Sequence, residues 1–209
     1  MSRQPPPKLF PLFLKLENRP CLVVGASTIA EGKIAGLLEA EARVRVVAPQ
    51  ATPQVQSWAQ ERKLEWQQRS YEPNDLQGMF LVVAATSSAP LHEQIFAQAR
   101  RQNVLCNVVD VPHLCDFFYP AVVRRGALQI AISTAGESPA LAQRLRKELE
   151  VQFGPDYEAW VTALGAARAE IAARDLTAED RKELLHQLAS EEFFQLFREH
   201  MKKAKQEKS

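Results

Sequence analysis

The chain has 209 residues, 46% of them apolar and 24% charged, with a formal net charge of +1. Such a near-neutral chain offers no global field to attract nucleic acid or an anionic membrane, and no apolar run reaches the roughly 18 residues of a membrane span. Three cysteines, Cys21, Cys106 and Cys115, are odd in number and form no CxxC pair, which fits reduced thiols rather than a disulfide framework. The opening MSRQPPPKLFPLF lacks the hydrophobic core and small-residue cleavage site of a secretory signal, so a cytoplasmic protein is expected. His113 and Cys115 place two soft ligands close together, but no further ligands cluster around them and structural zinc takes four, so no metal site is expected.

In chain order, CLVVG at 21–25 is a short apolar run ending in glycine, the form of a buried parallel strand. From Ile29, the residues Ile29, Ala30, Lys33 (its stem), Ile34, Leu37 and Leu38 recur at helical spacing. RVRVVAP (43–49) is a second strand stopped by Pro49; a weaker helix covers 54–62, and KLEWQQ reads as a third strand. MFLVVAAT (79–86) is a strongly buried strand, 91–101 a helix, and VLCNVVD (104–110) the next strand. This alternation predicts an α/β fold with a Rossmann-type doubly wound parallel sheet.

The pattern then changes. FFYPAVVRRGALQIAIST holds two β-rich runs around RRGA, a predicted antiparallel hairpin with Gly126 at its turn. Ser138 is a good N-cap and Pro139 suits the first helical position, so a helix is expected to run to about Phe153, where FGPD breaks it. Beyond Asp156 the chain reads as helical, with Tyr157, Trp160, Val161, Leu164 and Ile171 on one apolar face. TAED at 177–180 has the form of a capping box, SEEFFQLF opens a last helix, and the tail KKAKQEKS is expected to be solvated and frayed.

The first strand and helix are joined by a turn of the kind that cradles a dinucleotide. Backbone N–H groups at a helix N-terminus hold the pyrophosphate, and G-x-G-x-x-G/A supplies a tight turn, an open approach and close helix–strand packing. Here the six positions are Gly25, Ala26, Ser27, Thr28, Ile29 and Ala30, so the middle requirement is unmet. The Ser27 hydroxyl would either donate to a phosphate oxygen or push the ligand outward. The acidic residue expected about 20 residues on is also missing. Gln50 stands near that place; it can hydrogen-bond a ribose but cannot exclude a 2′-phosphate by charge.

The stretch NVVDVPHLCDFFYPAVVRRGALQIAISTAGESPALAQRLRKELE (107–150) closely resembles the precorrin-2 dehydrogenase family, the amino-terminal module of siroheme synthases. LFPLFLKLENRPCLVVG and EGKIAGLLEAEARVRVVAP resemble it in the same order and spacing, so the likeness covers about residues 8–150. It implies a homodimer with three parts: a Rossmann domain over 1–113, a dimerising hairpin and helix over 114–153, and a helical domain over 154–209. It also implies NAD-dependent oxidation of precorrin-2 to sirohydrochlorin, with NADP not excluded and with ferrous iron insertion in some members. The alternative is a ferrochelatase or tetrapyrrole carrier that has lost dinucleotide binding.

Asp110 falls on the family's functional aspartate in NVVD. It ends a buried strand at the carboxyl edge of the sheet, where ligands bind in open α/β folds, and a carboxylate there could take up a proton. Gly25, Ala26, Ser27, Thr28, Ile29, Pro49 and Gln50 match the family's cofactor-contacting positions, and Ala85 and Thr86 close the next strand at the same edge. Ser133, Thr134, Gly136 and Ser138 match a polar loop assigned to substrate, although a turn and helix cap explains the same residues. Arg124, Arg125, Arg144 and Arg146 suit a tetrapyrrole rich in carboxylates, Arg124 and Arg144 above all. The departures from the family pattern are GAS in the phosphate turn, ATSSAP after the fourth strand, and Ala135 in STAG.

Overall fold

The computed structural model describes residues 6–206. It divides into two compact units, residues 7–119 and the chain from Pro120 onward.

The first unit holds five parallel strands: β1 (Pro20–Val24), β2 (Arg43–Val47), β3 (Glu65–Gln67), β4 (Leu81–Ala84) and β5 (Leu105–Val108). Their order is β3-β2-β1-β4-β5, with Val24 in register with Val47 on one side and Ala84 on the other. The order reverses direction at β1, the point at which open α/β sheets bind ligands beyond their carboxyl ends. Helices α1 (Thr28–Glu39), α2 (Pro53–Gln60) and α3 (Ala89–Arg101) connect the strands.

Both faces of the sheet are covered, which is why its strands are apolar throughout rather than alternating. Cys21 and Val23 of β1 join Leu81 and Val83 of β4 in one core with Ala30, Ile34 and Leu37 of α1. Leu22 and Val24 join Val82 and Ala84 in the other, with Ile95 and Ala99 of α3. Ala30, Ile34 and Leu37 define the buried stripe of α1, and Ile29 lies about 100° round the helix from Ala30. Ile29 is accordingly 58% exposed, not part of the buried face that its spacing suggested.

The second unit begins with the expected hairpin, β6 (Ala121–Arg125) paired antiparallel with β7 (Leu128–Ile132). Gly126 has φ +56 while Ala127 stays at negative φ, the sign pattern of a two-residue II′ turn. Four helices follow: α4 (Pro139–Gln152), α5 (Asp156–Ala172), α6 (Ala178–Leu188) and α7 (Glu191–Gln206). Ser138 caps α4 as expected, its hydroxyl accepting from Leu141 N–H at 3.2 Å. At α6, Thr177 Oγ1 accepts from Asp180 N–H at 3.1 Å. The Asp180 carboxylate is engaged with the Thr177 hydroxyl at 2.6 Å, so the capping-box expectation gives way to a hydroxyl–carboxylate pair. The tail expected to fray is helical through Gln206; residues 207–209 lie outside the described residues.

Candidate functional site

The turn from β1 to α1 is shaped by one close approach. Gly25 has φ +103, and a Cβ there would lie 2.3 Å from the Ala85 carbonyl oxygen and 3.3 Å from Thr86 Cγ2. Only glycine meets both demands. Gly25 N–H donates to Val47 O at 3.0 Å and Ala85 N–H to Val24 O at 2.8 Å, which laces the exits of β1, β2 and β4 together. Ala26 is buried under the turn, and its carbonyl accepts from Thr52 N–H at 3.1 Å.

Ser27 is the N-cap of α1, with φ −79 and ψ 176, and makes no side-chain cap hydrogen bond. That is extended backbone open to any residue, so glycine's conformational freedom is not required at the place of the motif's second glycine. Ser27, Thr28 and Ile29 are exposed, and the first N–H groups of a helix have no partner inside it. This positive helix end, flanked by two hydroxyls, has the chemistry that holds an anionic diphosphate. Pro49 and Gln50 are exposed just beyond β2. A dinucleotide therefore fits the residues present: glycine where backbone must pass backbone, unused donors at the helix start, and an amide at the ribose position.

Asp110 lies beyond β5 at the same edge of the sheet. It is exposed, in the left-handed region at φ +60. A polar clasp behind it fixes this turn. Asp116 N–H donates to Cys106 O at 2.7 Å, and its carboxylate accepts from Cys106 N–H at 3.0 Å. Buried Asn107 donates to Phe117 O at 2.8 Å, while the Cys115 thiol reaches the carbonyls of Val108 (3.2 Å) and Val111 (3.3 Å). The chain is thus folded back along β5, and Asp110 is carried at the apex. Asn107, Cys115 and Asp116 escape sequence reading because their bonds join residues four to ten positions apart within what looks like a strand and a loop.

The surroundings of Asp110 are electrically uneven. Lys33, in the second turn of α1, sets its ammonium 3.8 Å from the centroid of the Tyr119 ring, a cation–π contact. Burial pushes the Lys33 ammonium below its ordinary value, and the charges of Asp110 and Cys115 oppose that shift. Burial likewise raises the Cys115 thiol and pushes Cys106 up to about 12, so neither is a poised nucleophile. His113 is exposed and 3.9 Å from Glu93. No group of three or more His, Cys, Asp or Glu side chains suited to a metal occurs among the described residues.

Residues 12–121 match an NAD(P)-binding family model, and residues 125–152 match the central-domain model of sirohaem biosynthesis proteins. The chain belongs to the precorrin-2 dehydrogenase and siroheme synthase family. A siroheme synthase of Nitrosococcus oceani is 43% identical over 147 residues, which is 70% of this chain and 31% of that protein. Siroheme synthase 1 of Aeromonas hydrophila is 37% identical over 163 residues, 78% of this chain and 35% of that one. The chain thus spans about a third of the length of the curated relatives it matches. A solved structure, "SirC, precorrin-2 dehydrogenase", gives a TM-score of 0.78 at 26% identity, covering 93% of this chain and all (100%) of that chain. No helix among the described residues is long and apolar enough to cross a membrane.

The remaining residues singled out by likeness to this family lie in the second unit. Ser133 Oγ accepts from Ala135 N–H at 3.1 Å, Thr134 Oγ1 from Ser138 N–H at 3.1 Å, and Thr134 O from Glu137 N–H at 2.9 Å. The loop is held by its own hydroxyls, with Gly136 exposed at φ +83. Arg144 is exposed beside Glu148 at 3.6 Å, and Arg146 pairs with Glu150. Arg124 is exposed on β6. Arg125 has a different task from the anion contact expected of it. Its Nε donates to Phe153 O at 2.7 Å and its Nη2 to Glu150 O at 2.9 Å, so it satisfies the end of α4.

Proposed function

We propose that the chain oxidises precorrin-2 to sirohydrochlorin with NAD, as a homodimer. A nicotinamide dinucleotide bound at the β1–α1 turn supplies the hydride acceptor. Gly25 keeps the turn against β4, and the N–H groups and hydroxyls of Ser27 and Thr28 hold the diphosphate. Gln50 takes a ribose hydroxyl; Ala48–Thr52 contains no arginine or lysine to pair with a 2′-phosphate, which supports NAD over NADP. Asp110 accepts the proton that precorrin-2 loses as its hydride departs. Ala85 and Thr86 form the wall of the nicotinamide side, and Ser133, Thr134, Gly136, Ser138, Arg124 and Arg144 are proposed for the macrocycle and its carboxylates.

The observation that carries this reading is the placement of Asp110. Its exposed carboxylate and the glycine turn share one carboxyl edge of one sheet, and a dedicated clasp fixes it in a conformation that few residues adopt unaided. The dimer has its own support, because β6 and β7 pair only with each other among the described residues and leave their outer edges free to take a strand. Mixing the protein with precorrin-2 and NAD is expected to produce reduced-nicotinamide absorbance and sirohydrochlorin, and Asp110→Asn to lower kcat about 100-fold or more. No turnover with either NAD or NADP would refute it.

A further inference from the structure

We infer that His92 is a positioning residue for the dinucleotide site, fixing Thr86 so that its methyl packs on the glycine turn and its hydroxyl hydrogen is left for the ligand. This rests on the cofactor reading given above and adds a residue that the phosphate motif does not contain. His92 lies in the first turns of α3 and is buried, an unusual setting for an imidazole on a helix whose polar residues otherwise face solvent. Its Nε2 reaches back over the start of its own helix to Thr86, at 2.9 Å from the carbonyl oxygen and 3.0 Å from Oγ1.

The pair of contacts decides which atoms carry hydrogen. A carbonyl oxygen only accepts, so Nε2 must be the protonated nitrogen, and this tautomer is assigned from the hydrogen bonding. The same N–H is then shared with Thr86 Oγ1, which is an acceptor in that contact. The hydroxyl's own hydrogen is not used by His92 and is directed elsewhere. With Oγ1 held on the His92 side, the Thr86 methyl packs toward Gly25, 3.3 Å from where a Cβ on that glycine would be.

No other cap performs this task. Ser88, the N-cap of α3, makes no side-chain cap hydrogen bond, so the imidazole rather than a local hydroxyl ties the loop after β4. Ala85 and Thr86 are the residues that Gly25 nearly touches. Whatever sets Thr86 therefore sets one wall of the groove beside the turn. The ligand atom addressed is an acceptor oxygen of the dinucleotide on the nicotinamide side of its diphosphate.

The test is the affinity of the purified full chain for NADH, measured by fluorescence or calorimetry without substrate, alongside a thermal melt. Thr86→Val and His92→Leu are each expected to weaken NADH binding about three- to tenfold, the worth of one neutral hydrogen bond. His92→Asn keeps an N–H donor and is expected to recover part of that affinity. The double variant is expected to bind no more weakly than Thr86→Val alone, because both changes remove one shared interaction. Unchanged affinity in His92→Leu, or additive losses in the double variant, would overturn the inference and leave the cofactor reading intact. If His92→Leu does not fold, His92→Asn against Thr86→Val decides by the same comparison of affinities. A wild-type chain that binds neither NADH nor NADPH would remove both readings at once.

Discussion

The two units of the chain spend their apolar residues differently. Among the described residues, the bulkiest fully buried side chains, Leu22, Ile34, Leu76, Leu81 and Ile95, all belong to the sheet unit 7–119. Among the described residues, the unit beyond Pro120 buries only Val123, Ala142, Trp160, Ile171 and Phe194 of its apolar side chains, the last four of them 5–8% exposed. In the first unit two helix layers close over a central sheet, whereas a two-stranded hairpin has no interior and must lean on a helix. Arg125 adds a polar clamp between that hairpin and the end of α4. The difference teaches that one unit rests on a two-sided apolar core, while the other rests on a few buried side chains, aromatic contacts and hydrogen bonds.

The strongest way to break this contrast is to remove the aromatic centre of the second unit. Trp160 packs on Phe194 and Phe197 at centroid distances of 5.6 and 5.1 Å, and Tyr157 on Phe194 at 4.4 Å. Trp160→Ala is expected to cost about 3 kcal/mol. Hydrogen exchange should then show α5 and α7 opening while β1, β4 and β5 stay protected, since stability in such a chain is not a single number. Equal loss of protection in both units would show that they melt as one.

A second test strikes the first unit alone. Asp75 is 4% exposed, with its carboxylate held by two guanidinium nitrogens of Arg69 and accepting from Glu72 N–H at 2.8 Å. Burial pushes this carboxyl up, but the Arg69 hydrogen bonds, the Glu72 N–H and the arginine charges outweigh it and leave Asp75 below the ordinary carboxylate range. A group whose folded value is depressed contributes stability at pH above its unfolded value and loses it as pH falls through the folded one. Asp75→Asn is therefore expected to destabilise the sheet unit by about 2 kcal/mol at neutral pH. The gap from wild type should close as pH drops below about 4. Melts from pH 7 to 3 check this; a gap constant with pH would show that the loss is one of packing rather than charge.

The same contrast explains what was legible in the sequence. The strands of the sheet unit are apolar on both faces, so their runs stood out, and Gly25 and Asp110 were readable because they punctuate those runs. Ser27 departs from the motif by placing a Cβ and hydroxyl where a phosphate approaches, not by its backbone, which is extended and open to any residue. Asn107, Asp116 and His92 were invisible for a common reason. Each acts through a bond to a backbone atom whose position only the fold supplies. Arg125 was misread in the same way: as one of several arginines it suggested an anion, and only the fold brings the end of α4, 25 to 28 residues on, within its reach.

The smallest expected effect concerns the loop before α4, and it sharpens the comparison by size alone. Ala135 stands at φ +51, where an L side chain is strained by about 1–2 kcal/mol. Its N–H is held by Ser133 Oγ and the next turn by Thr134 O, so the loop keeps this conformation despite the strain. Ala135→Gly relieves it, and the added freedom of glycine in the unfolded chain returns about 0.4–1 kcal/mol of that gain. The net is a stabilisation of about 0.5–1 kcal/mol. That gain moves the melting temperature by up to about 4–8 °C if a unit of this size melts alone, but by only about 2–4 °C if all 209 residues melt together. The slope of that shift, set against the exchange pattern of Trp160→Ala, measures how far the second unit's stability is its own.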